Sequence, residues 1–240
     1  MVFEWFRRRS RQRKPAAVIG AREVVAEENR YDLGDLTPDT VSYLGQVAYF
    51  ELAVFETLSR AVSESPDLSS KEGLSAVAGD ALAKHHGVVG ELRKLKVDPA
   101  VAMEPFTVSI DRFKQLTQGN DWLETLVSVY ITGGFLDDFF QRIVGGLPRA
   151  LAARVQALIE PDREAAIIVE QLQAAIDRDP AIASRLALFG RRLLGDALLL
   201  ARNAVAGSGD KAHDEARMEP VFTDLIAAHS RRMDALGFTA

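Results

Sequence analysis

The chain has 240 residues, 48% of them hydrophobic, with four histidines and no cysteine. That length supports one sizeable core, or one domain with an appendage, and the missing cysteines exclude disulfides, thiolate zinc sites and cysteine nucleophiles. The net charge of −5 is uneven: residues 1–14 hold six basic side chains against Glu4, +5 in all, which leaves −10 on the rest and excludes a nucleic-acid-binding body.

Residues 1–36 read as a mostly irregular, basic N-terminal tail. Its arginines stand beside Phe3, Trp5 and Phe6. That composition suits RNA or an anionic membrane surface, with a disordered solubilising tail as the plainer alternative. No apolar run nears the ~20 residues of a membrane span. No apolar stretch of signal-peptide type follows the basic start. The expectation is a cytoplasmic protein.

Residues 37–206 carry the main body. Thr37 before Pro38 predicts a helix start, and "VSYLGQVAYFELAVFETLSRAV" is apolar on a wide face, a first helix over about 38–64. Ser69 and Glu72 have capping-box spacing ahead of a second helix over about 70–96. The next ~24 residues hold two prolines and weak periodicity. They predict a crossover with at most one short helix, too long for an ordinary bundle turn. Asp121 and Glu124 repeat the capping-box spacing and open a third helix over about 121–145. Pro148 starts a fourth that runs to about 177, kinked at Pro161. Asp179 and Pro180 open a fifth over about 180–206. "GSGD" is a hinge, and residues 207–240 form a C-terminal extension of one or two helices ending at Leu236 before Gly237.

No segment alternates with period two, so the chain is all-α. Two long helices, a long crossover and two more long helices follow a ferritin-like order rather than an up-and-down one. Local strings point the same way: "YFELAVFETL", "AKHHGVVGELRKLKVDP", "DFFQRIV" and "LALFGRRLLGDAL". Over about residues 38–206 the chain resembles actinobacterial ferritin-like proteins related to the tRNA-(2-methylthio-isopentenyladenosine) hydroxylase MiaE. The resemblance implies a four-helix bundle and a non-haem di-iron hydroxylase acting on modified tRNA or another alkyl substrate. It also implies ligands in a set pattern, a carboxylate from one helix of each pair and Glu-x-x-His from the other.

Counted against that pattern, the set is incomplete. Glu51 lies mid-helix in an apolar run, where a carboxylate is costly to bury alone. His85 falls at a matching height on the second helix, but Leu82 stands where Glu is wanted. In the second half, residues 132–134 offer no carboxylate, and Asp138 lies one turn on. Glu160 and Arg163 have the i, i+3 spacing, yet a guanidinium offers no lone pair to a metal. Glu51, His85 and Glu160 are the candidate metal ligands. With Asp138 and Arg163 they make a candidate metal pocket, live or vestigial. The degenerate reading has no metal and an Arg163 that replaces the lost cation's charge in an internal ion-pair network, leaving a non-catalytic binding or scaffold protein. The alternative is a live iron site. Catalytic residues and substrate are not legible, and a homo-oligomer is one expected assembly.

Plainer roles compete at each position. One of His85 and His86 is expected to face outward and the other to be hydrogen-bonded inside. Asp137 and Asp138 are expected to be one wet and one buried. Phe50, Phe139 and Phe140 are expected in the core rather than on a base-stacking platform.

Overall fold

The computed structural model describes residues 36–160, 165–205 and 211–238, with only the backbone of 211 and 212. The basic N-terminal segment, Arg163, Pro161 and the "GSGD" hinge lie outside the described residues. The described chain is helical throughout, as the periodicity predicts.

Helix α1 spans Thr40–Ser63 and α2 spans Leu68–Lys94. A connection over residues 95–121 follows, and it holds two short helices rather than one. These are α3 (Pro99–Met103) and α4 (Thr107–Leu116), joined by a 3₁₀ turn at Glu104–Phe106. Asp98 caps α3 by accepting from the Ala100 N–H, and Pro99 takes the first helical position. The third long helix consists of α5 (Trp122–Ser128), a π-helical turn at Val129–Gly133, and α6 (Gly134–Ile143). Helix α7 (Arg149–Leu158) and helix α8 (Ala165–Arg178) occupy the predicted fourth helix, followed by α9 (Ile182–Asn203) and α10 (Lys211–Ala235).

Caps differ from the predicted ones where a better acceptor lies nearby. Asp39, not Thr37, caps α1, because its carboxylate takes the N–H groups of both Val41 and Ser42. Thr37 instead donates to the Ile143 carbonyl 2.9 Å away. Asp67, not Ser69, caps α2 through the Ser70 N–H. Asp121 caps α5 as predicted, by accepting from the Glu124 N–H at 2.8 Å. Gly237, at φ +73°, ends α10 in the left-handed conformation that glycine tolerates.

The core consists of two hydrophobic clusters stacked along the bundle, and they orient each helix. On α1 the first cluster runs to Ala53 and the second begins at Leu58. On α2 the order reverses, with the second cluster through Ala81 and the first from Val88. The α5–α6 helix runs the same way as α2, with Leu126 and Ile131 in the second cluster and Phe135 in the first. Leu151 of α7 and Ile168 of α8 run back again. The order is therefore up, down, down, up. Two parallel neighbours in the middle need a connection that climbs the whole bundle, which α3 and α4 supply. Trp122 then fixes the top of α5 to α1 by donating to the Ala61 carbonyl at 2.9 Å.

Each fully buried large side chain, such as Phe135 or Phe139, contributes roughly 1.5–3 kcal/mol by leaving water. Phe50, Phe139 and Phe140 are all core, as predicted. A few buried polar groups lie within and beside the first cluster.

Candidate functional site

The polar layer consists of Glu51 on α1 and Asp137 on α6, both set among first-cluster residues, with Lys84 and His85 on α2, where that helix passes from the second cluster to the first. All four are buried. A charge at such depth needs partners, because desolvating one ion costs several kcal/mol. Lys84 is 5% exposed, and its Nζ donates to Asp137 Oδ2 at 3.1 Å. Asp80, one turn earlier on α2, lies 3.8 Å from the same ammonium. Glu51 and Asp137 both line a cavity of about 80 Å³, together with Tyr130, Gly133, Gly134 and Arg232.

The π turn shapes this layer. It inserts one extra residue into the helix just above Gly133 and Gly134. Without side chains there, the backbone admits a residue from α10. A Cβ on Gly134 would lie 2.4 Å from Arg232 Nε, so the guanidinium lies directly on that glycine. Arg232 Nη2 donates to Asp138 Oδ2 at 2.9 Å. Its Nη1 is buried and has no hydrogen-bond partner among the described residues. The same guanidinium acts at a distance. Burial holds His229, one turn back on α10, below the ordinary histidine pKa, and the Arg232 charge adds to that shift. Burial raises the Tyr43 phenol well above its ordinary value, and the Asp137 carboxylate pushes it the same way. Tyr43 keeps its proton and donates it to the Phe140 carbonyl at 2.9 Å.

The structure brings some predicted site residues together and separates others. Glu51 is buried in the layer and lines the cavity. His85 reaches α1 one turn away from Glu51, where its Nδ1 lies 2.8 Å from the Ala48 carbonyl. A carbonyl only accepts, so Nδ1 carries the hydrogen and His85 ties α1 to α2. His86 faces outward. Asp138 is half-turned from the layer and pairs with Arg232, while its neighbour Asp137 points to Lys84. Glu160 is exposed just past the end of α7 and does not line the cavity with Glu51. Arg163 lies outside the described residues.

Three residues escaped the sequence reading: Lys84, Asp137 as the inward aspartate, and Arg232. One signal was available for Lys84. It stands four residues after Asp80, and both fall on the α2 face that carries Val77 and Val88. Nothing local marks Arg232, whose partner Asp138 is 94 residues away.

Two cations need several carboxylates and imidazole nitrogens converging on one point. Among the described residues no three His, Asp or Glu side chains converge in that way. The layer contains the Lys84 ammonium against Asp137. Among the described residues the ligand set for two irons is therefore incomplete.

Replacing Arg232 with methionine is expected to cost about 1–2 kcal/mol. Asp138 would lose its partner, and the cost is moderated because the pair is still 17% exposed on each side. Urea unfolding followed by circular dichroism measures it. An Arg232→Met protein as stable as the parent would show that α10 is not held through this contact.

A family model described as a ferritin-like domain of actinomycetes matches residues 36–213. The match takes in α1 through α9 and stops at the start of α10. No curated protein matches the chain.

Proposed function

Since this chain belongs to the ferritin-like domain family of actinomycetes, we propose that it is a non-catalytic member whose metal layer has become an internal ion-pair layer, kept for binding. One observation carries the reading: Lys84 donates to Asp137 at the level of Glu51, inside the bundle. A lysine ammonium has three donors and no lone pair, so it serves carboxylates as a cation does and ligates nothing.

A second reading is a MiaE-like non-haem iron hydroxylase acting on modified tRNA or another alkyl substrate. Its support is that Glu51 and Asp137 line one cavity. Metal analysis separates the two. Protein from iron-supplemented cells, purified without chelator, is expected to carry substoichiometric iron by plasma emission spectrometry. Two irons per chain would overturn the non-catalytic reading, and a single bound iron abolished by Glu51→Ala would favour the hydroxylase.

A further inference from the structure

A cavity larger than the one in the polar layer lies elsewhere in the bundle. It lies between α1, α4 and the α5–α6 helix and has a volume of about 430 Å³. Phe50, Val54 and Val129 belong to the walls of both cavities, so the large one reaches down to the layer. Its outer wall is the crossover helix α4, through Ile110 and Phe113.

The chemistry of the walls is divided. The interior is apolar, built by Phe50, Ala53, Val54, Ile110, Phe113 and Val129. Five hydroxyl residues also line it, and each spends its proton on a main-chain carbonyl. Thr57 donates to Ala53, Thr117 to Phe113, Thr125 to Asp121, Ser128 to Thr117 and Thr132 to Ser128. The interior therefore has no hydroxyl donor left for an anion or a carbonyl. The mouth carries both charges and amides: Arg60 and Lys114, Glu64 and Asp121, Gln115 and Gln118; Asp121 is held by Arg185 at 2.7 Å. Lys114 is already engaged there, with Glu56 at 2.7 Å and Asp111 at 3.8 Å. Arg60, in the last turn of α1, is exposed, and no carboxylate among the described residues pairs with its guanidinium.

We propose that this cavity binds a single-chain amphiphile, its apolar body between α1, α4 and the π turn and its anionic head on Arg60. An alkyl or aryl chain matches an apolar floor whose neighbouring hydroxyls are already committed. A carboxylate, sulfonate or phosphate matches the uncommitted arginine at the mouth. The inference deepens the binding role proposed above and rests on it only for the absence of chemistry on the ligand. The cavity itself does not depend on what occupies the polar layer.

The test uses the full chain and dansyl-labelled undecanoic acid, with its primary amide as the neutral twin. Fluorescence titration of the parent is expected to saturate at one acid per chain. Thr57→Phe and Ala53→Leu fill the cavity from α1. Each is expected to abolish or strongly weaken binding of both probes while the thermal melt stays cooperative. Thr57 is only half-buried and tolerates the larger ring if Ala53→Leu does not fold. Arg60→Glu is expected to weaken the acid roughly fivefold to tenfold, the scale of reversing one solvent-accessible charge contact, and to leave the amide unchanged. No saturable binding by the folded parent overturns the proposal, as does binding that ignores both filling variants. Acid binding unchanged by Arg60→Glu overturns the head assignment. Iron measured on the same batch would sink the non-catalytic reading alone and leave the titration result standing.

Discussion

Replacing Lys84 with methionine is expected to destabilise the protein by about 3–5 kcal/mol, the scale of removing one partner from a buried pair. Methionine is close in volume to the lysine stem, so packing changes little. What changes is charge. Asp137 is 9% exposed and would keep its negative charge in the bundle without the ammonium at 3.1 Å. The double variant Lys84→Met with Asp137→Leu is expected to recover much of the loss, because Asp137 then no longer leaves a buried charge without its ammonium. Lys94→Met is the control. Lys94 is 65% exposed, though paired to Glu91, and its loss should cost no more than about 1 kcal/mol. Urea unfolding at neutral pH measures all four proteins. If Lys84→Met costs no more than Lys94→Met, the central lysine does not hold the layer together.

Gly45→Ala is expected to cost about 3 kcal/mol, at the upper end of overpacking penalties. The sign is what makes it informative. Inside a helix, alanine is ordinarily better than glycine by roughly 0.5–1 kcal/mol. Here a Cβ would lie 2.1 Å from the Ala102 carbonyl oxygen and 2.7 Å from its carbon. Those are backbone atoms of α3, so no rotamer change relieves the clash. Either α1 or the crossover must move. Gly79 and Gly90 on α2 meet nothing within 4 Å and serve as controls. Gly79→Ala and Gly90→Ala should each stabilise by roughly 0.5–1 kcal/mol. A stabilised Gly45→Ala protein would mean that the crossover does not press on α1. Because α4 follows α3 and walls the large cavity, Gly45→Ala is also expected to weaken binding of the dansylated acid.

The same contrast shows what could be read early. Glu51 stood out because a carboxylate in "AYFELAVF" has no cheap explanation, and it is indeed buried in the polar layer. The pairing of His85 with that layer was legible only as a height along the helix. Its imidazole goes to the Ala48 carbonyl instead, a main-chain partner that carries no sequence signature. Glu160 had the right spacing, but α7 ends at Leu158 and leaves it exposed. Asp137 and Asp138 are neighbours separated by about 100° of helix. Spacing alone could not say which one turns inward.

Local order was set by local physics. Helical periodicity, Asp121 as a cap, proline and glycine at helix boundaries and the long stretch between the second and third helices all act over a few residues, so the string of amino acids carries them openly. Their sum gave an all-α chain in ferritin-like order. Tertiary structure decided the charges. Lys84 becomes a core residue because Asp137, 53 positions later, meets it across the bundle. Arg232 enters because a π turn ends in two glycines that leave room for it. A buried ion is tolerable only when its partner arrives with it, and partners so far apart in sequence are known only once the helices have packed.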